Sequence, residues 1–147
     1  MQNIIQNHYI IAVFIARIFL GFLFFLQGYD TIIRVGIKNV IEKHDVSFSE
    51  GGIPRVLTSI GVWLTSLIQL LGGLFLIVGF VKYYVLYLLG IEMILAAIAF
   101  GIIKPLWDMR FIFPRFTVLI FLLVVPSEWD ILSVDYFWSF LKFLNSF

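Results

Sequence analysis

Three side chains capable of chemistry stand isolated in long apolar runs: Arg17, Gln69 and Glu92. A guanidinium and a carboxylate can form an ion pair braced by a carboxamide, and the same trio could hold a polar ligand or trapped water. Counted at about 1.5 Å per helical residue, each lies roughly 13–18 Å from the start of its run. That depth is close to the middle of a bilayer's hydrocarbon core. A lone arginine facing lipid there costs at least about 2.5 kcal/mol. The three residues are therefore expected to meet inside a helical bundle, with Glu92 neutralising Arg17 and Gln69 hydrogen-bonded to the pair.

Little else in the chain offers reactive groups. There are no cysteines, which excludes a disulfide framework, a thiolate metal site and a cysteine nucleophile. His8 and His44 fall outside the apolar runs, and no third ligand completes a metal site with them. No phosphate-binding loop or nucleophile triad is present. Ser127-Glu128-Trp129-Asp130 reads as a polar helix stop and interfacial anchor. No catalytic residue is expected, which points away from an enzyme.

The elements that position these residues follow from composition and run length. The chain has 147 residues, of which 62% are hydrophobic and 13% charged. Soluble domains carry about 25% charged residues. A net charge of +1 without a dense basic block gives no nucleic-acid partner. Apolar runs at residues 9–29, 57–80, 83–103 and 108–125 approach the roughly 20 residues needed to cross a bilayer. They predict an all-α membrane protein, one domain built as a four-transmembrane-helix bundle, with the lipid bilayer as its first partner. Residues before Tyr9 lack Lys and Arg and no cleavage site follows, so the first run is read as an uncleaved span. Gly21 and Gly28 share the face of Arg17, and Gly72 and Gly73 adjoin Gln69. Small residues so placed let helix backbones approach closely.

The connections carry their own expectations. The short Gly79–Lys82 link makes the second and third spans antiparallel neighbours. The connection at 30–55 is expected to pack over one end of the bundle, with a short amphipathic turn of helix near 35–41 that breaks at Gly51-Gly52 and Pro54. In the tail, Asp135, Ser139, Lys142 and Ser146 share one helical face, while Phe137, Phe140, Leu141 and Leu144 line another. That pattern predicts a C-terminal amphipathic helix at about 133–147, lying at the membrane interface or packed on the bundle, and no fifth span. Arg34, Lys38, Lys43, Arg55, Lys104, Arg110 and Arg115 fall on one side, against Lys82 and Lys142 on the other. The positive-inside rule then leaves both termini outside the cytoplasm.

Four stretches resemble the DoxX family of small integral membrane proteins, in order along the chain. ARIFLGFLFFLQGYD at 16–30 is similar to its first-helix signature, GGIP at 51–54 to the start of its second helix, and LIQLLGGLFLIVGF at 67–80 to its E-x-x-G-G segment. SVD at 133–135 resembles the motif after its fourth helix. The resemblance implies a four-helix membrane bundle. The family includes a small subunit of thiosulfate:quinone oxidoreductase, which adds quinone as a possible ligand where the residues themselves require no cofactor. Two positions depart from the pattern: Gln69 stands where the second helix carries Glu, and Thr31 where a Lys follows the first helix. The Arg–Glu pairing across helices one and two is thereby lost, and Glu92 is the replacement partner. The expected function is a non-catalytic accessory or assembly subunit of a larger membrane complex, with other membrane subunits as partners, in a bacterial inner (cytoplasmic) membrane. The alternatives are a membrane subunit of a quinone-linked oxidoreductase and a small transporter, though the paired broken helices of many transporters are missing.

Overall fold

The computed structural model describes residues 2–50, 54–103 and 112–144. The Gly51-Gly52 break, the connection at 104–111 with the start of the fourth run, and the last three residues of the tail lie outside them. Every regular element among the described residues is helical. Helix α1 spans Gln2–Tyr29 and widens into a π turn at Asp30–Arg34; α2 spans Ile37–Glu50, α3 Arg55–Val78 and α4 Lys82–Ile103. Helix α5 spans Ile112–Val124, a 3-10 turn covers Ser127–Trp129, and α6 spans Val134–Leu144.

Among the described residues, three stretches are long and apolar enough to cross a bilayer: His8–Arg34, Arg55–Val78 and Lys82–Ala99. Helix α5 is apolar but shorter, at 13 residues. The core is a leucine-rich seam in which Leu20, Leu76, Leu86, Leu89, Leu119 and Leu122 are fully buried and Phe24 nearly so. Their spacing of three or four residues within each helix puts them on one face. The opposite faces stay apolar, with Ile15, Phe19, Leu64, Leu71, Leu88 and Leu95 all exposed. A helix that is apolar all round suits lipid. Lipid tails are as apolar as leucine, so packing rather than water exclusion must hold the helices together.

Packing is tightest between α1 and α3. A methyl group on Gly73 would lie 2.3 Å from the Phe25 amide nitrogen, and one on Gly28 would lie 2.5 Å from that of Leu70. Gly21 faces Ile77 in the same seam. The two backbones therefore touch through glycines. Gly72 points the other way, towards Leu89 of α4.

The two ends of the bundle are built differently. At one end Gly36, with φ of +84°, turns the chain from the π segment into α2. That helix is 14 residues long, well beyond the turn near 35–41 that the sequence supports. Ile37 and Ile41, one helical turn apart, are its buried face, and it packs on the α3 side of the bundle. At the other end Gly79, with φ of +75°, stops α3. The N–H groups of Gly79 and Phe80 both donate to the Phe75 carbonyl, and the Phe75 and Phe80 rings meet edge to face. This is the left-handed glycine stop with its accompanying apolar contact.

Candidate functional site

Arg17 is buried, at 1% exposure, in the same α1 stripe as Val13, Leu20 and Phe24. Its Nε lies 3.2 Å from Asp130 Oδ1, and its terminal nitrogens donate to the carbonyls of Leu132 at 2.6 Å and Leu76 at 3.4 Å. Asp130 is 4% exposed and shared, because its Oδ2 lies 3.0 Å from Nζ of Lys82, itself 3% exposed. Two buried cations thus flank one buried carboxylate. Charges so far from water persist only when paired.

The surrounding backbone is shaped to hold this triad. A Cβ on Gly79 would fall 1.8 Å from a guanidinium nitrogen of Arg17, so the glycine leaves the space the arginine fills. Val81 follows with a left-handed φ of +52°, rare for a β-branched residue. Its conformation is secured by Asp135, whose two carboxylate oxygens accept from the Val81 and Lys82 amides, both at 2.8 Å. A carboxylate there also suits the positive N-terminal end of α4. The Asp135 amide donates back to the Gly79 carbonyl, clipping the first turn of α6 onto the α3–α4 turn. Ser133 caps α6 by accepting from the Tyr136 amide, while its hydroxyl donates to the Asp130 carbonyl. Trp129 stacks on Tyr9 at 4.4 Å, tying the same segment to α1.

A second polar layer lies about 15 Å deeper, ten residues along each helix from the triad's level. There Gln69 of α3 donates to Glu92 of α4 at 2.7 Å, with both side chains buried. Arg115 of α5 is within electrostatic reach of Glu92 and hydrogen-bonds Gln27 of α1. Each of the four apolar helices contributes one member to this layer.

Gln69 and Glu92 therefore meet, while Arg17 does not join them. The expected Arg17–Glu92 pair is corrected: Arg17 belongs to Asp130, and Arg115 is the cation near Glu92. The depth count misplaced Arg17, because α1 extends well beyond the α3–α4 turn and brings Arg17 level with Gly79. Asp130, read as part of a helix stop, is the buried counter-ion. Arg115, counted with the loop cations, is half-buried in the bundle. The proline at 114 and the flanking aromatics gave no sign of this. Thr31, at the departed lysine position, donates its hydroxyl back to the Gln27 carbonyl.

Comparison with protein-family models matches DoxX over residues 12–102. The chain belongs to the DoxX family. The match takes in Arg17, Gly21, Gly28, Gln69, Gly72, Gly73, Lys82 and Glu92, and it ends before Asp130 and Arg115. No protein of curated function and no solved structure matches the chain. DoxX membership and three long apolar helices together point to an integral membrane protein. Among the described residues, no group of three His, Cys, Asp or Glu side chains is arranged to hold a metal ion.

Proposed function

We propose that this DoxX protein is a non-catalytic accessory or assembly subunit of a larger membrane complex, in a bacterial inner membrane. The bundle crosses four times in this reading, with α5 as the described part of the fourth span. Helix α6 then lies along the membrane surface, its Phe137, Phe140 and Leu144 directed at the acyl boundary. The observation that carries the reading is the state of Arg17. Its guanidinium faces a carboxylate and two carbonyls and is sealed under Gly79, so it joins helices rather than presenting itself to a substrate. The extensive apolar exterior leaves ample surface for neighbouring membrane subunits as well as lipid.

The quinone-linked alternative has one feature in its favour. An apolar groove of about 330 Å³ runs between α4 and α5, bordered by Met93, Ala97, Ile112 and Phe116. All seven described side chains lining it are apolar, which fits an isoprenoid tail but offers a quinone head no hydrogen bond. Gentle solubilisation from native membranes followed by native mass spectrometry tests the preferred reading. A mass well above that of this chain, with other subunits identified in it, is expected. Recovery only as an isolated 17.0 kDa monomer contradicts it.

A further inference from the structure

Between the two polar layers lie Leu20 and Phe24 of α1, Leu76 of α3, Leu86 and Leu89 of α4, and Leu119 and Leu122 of α5, all fully or almost fully buried. Among the described residues no polar side chain is buried between the layers, so this plug separates Glu92 from the triad. On its other side the Glu92 layer meets a stripe of polar groups. We infer that Glu92 is a proton-binding site open to the α2 end of the bundle and closed towards the triad.

Three observations carry this, independently of the assembly role. First, Gln27, Asp30, Thr31 and Arg34 recur at helical spacing on α1 and its π turn, and so share a face. Second, they are linked to the layer and to one another. Arg115 donates to the Gln27 side chain, the Thr31 hydroxyl donates to the Gln27 carbonyl, and Arg34 pairs with Asp30 at 3.6 Å. Third, exposure rises along the stripe. Glu92 is 4% exposed, Gln27 and Arg115 are half-buried, and the side chains of Asp30 and Arg34 are 47% and 76% exposed. An ionisable group within a span, reached by polar groups from one side, is placed as the end of a proton relay. The π turn in the stripe is a kind of helix defect frequent at functional sites.

The surroundings of Glu92 define what proton uptake does. Gln69 of α3 holds one carboxylate oxygen at 2.7 Å, so the proton goes to the other. Arg115 of α5 is within electrostatic reach, and the described charges of α2, Lys38, Glu42 and Lys43, are exposed. The layer thus carries one charge of each sign while Glu92 is ionised, and keeps that of Arg115 once the carboxyl is protonated. The pH on the α2 side is thereby converted into a change of charge inside the bundle.

Infrared difference spectroscopy of the full-length protein in sealed vesicles tests the inference. Glu92→Gln is the reference, because it keeps the oxygen that Gln69 holds. The carbonyl band of the protonated Glu92 carboxyl should appear on acidifying the side from which Lys38→Cys is labelled, and not on acidifying the other. Gln27→Leu interrupts the stripe and should slow deuterium exchange of that carboxyl by about tenfold, the effect of one lost hydrogen bond. Thr31→Val, a milder change farther along the stripe, should slow it in the same direction. A band that ignores the pH on both sides would overturn the inference, as would one that follows the α6 side. So would exchange in both stripe variants as fast as in the wild type.

Discussion

Arg17 shows how a single residue can be recognised from sequence and still be given the wrong partner. Its type and its apolar surroundings required a buried counter-charge, and one exists. The choice of Glu92 rested on depth counted from Tyr9, whereas helix α1 starts at Gln2 and slides Arg17 up to the α3–α4 turn. Asp130 was hidden by its neighbourhood, since Ser-Glu-Trp-Asp after a proline has the composition of an exposed stop. Nothing in residue type separates a solvated aspartate from one folded back onto a span. Gly79 is the position where this geometry is most sensitive. Gly79→Ala places a methyl group on the guanidinium and asks an L-residue to hold φ of +75°, which alone costs about 1–2 kcal/mol. Its melting temperature in detergent should fall clearly. Gly61→Ala, where a methyl group meets nothing within 4 Å, should melt at or above the wild-type temperature. Equal melting of the two variants would show that Arg17 does not need the Gly79 space.

At the scale of elements, the helix-packing glycines were the most legible feature. Small residues on a polar stripe signal close approach, and Gly21, Gly28 and Gly73 indeed bring α1 against α3 backbone to backbone. Gly73→Val should therefore force these helices apart and reduce the yield of folded protein. Gly72→Ala, which meets side-chain atoms of Leu89 at 3.2 Å and Val85 at 3.5 Å and no backbone, should be far milder. The length of α2 was less legible, because its polar composition between residues 37 and 50 resembles a loop; among its described side chains Ile37 and Ile41 supply the buried face. The clip from α6 to the α3–α4 turn could not be read at all, since it depends on one aspartate reaching backbone amides 53 and 54 positions away. Asp135→Ala removes both bonds and a helix-capping charge, a loss of about 1 kcal/mol or more. Faster hydrogen exchange at Val81, Lys82 and the first turn of α6 is the expected result. Unchanged protection there would mean that α6 is held by other contacts.

Across the whole molecule, the polar groups form two layers about 15 Å apart, one at the α3–α4 turn and one halfway along the spans. Helix α2 lies at the end opposite the triad, so an odd number of crossings must separate it from α6. The absence of native cysteines makes this simple to measure. Single cysteines replacing Lys38 on α2 and Lys142 on α6, both exposed, should react with a membrane-impermeant thiol reagent from opposite sides. Labelling of both from one side would rule out the four-span arrangement. The positive-inside count changes in detail, because Arg115 and Lys82 are withdrawn into the bundle. Arg34, Lys38, Lys43 and Arg55 still outnumber Lys142, so the positive-inside expectation of a cytoplasmic α2 is unchanged, and the same labelling tests it.

The central claim is that the buried charges at the turn end lock the bundle and take no part in chemistry or in partner contact. Asp130→Asn leaves Arg17 and Lys82 without a counter-ion and should cost about 3–5 kcal/mol. Replacing the whole triad, as Arg17→Met, Lys82→Met and Asp130→Leu together, removes the uncompensated charge along with the pair. The deciding measurement compares the two variants by thermal melting and by native mass after gentle solubilisation. The single variant should melt well below the wild type, and the triple variant should recover most of the loss and still migrate in the larger complex. A triple variant that folds normally but no longer enters the complex would contradict the claim, as would an Asp130→Asn protein that melts like the wild type.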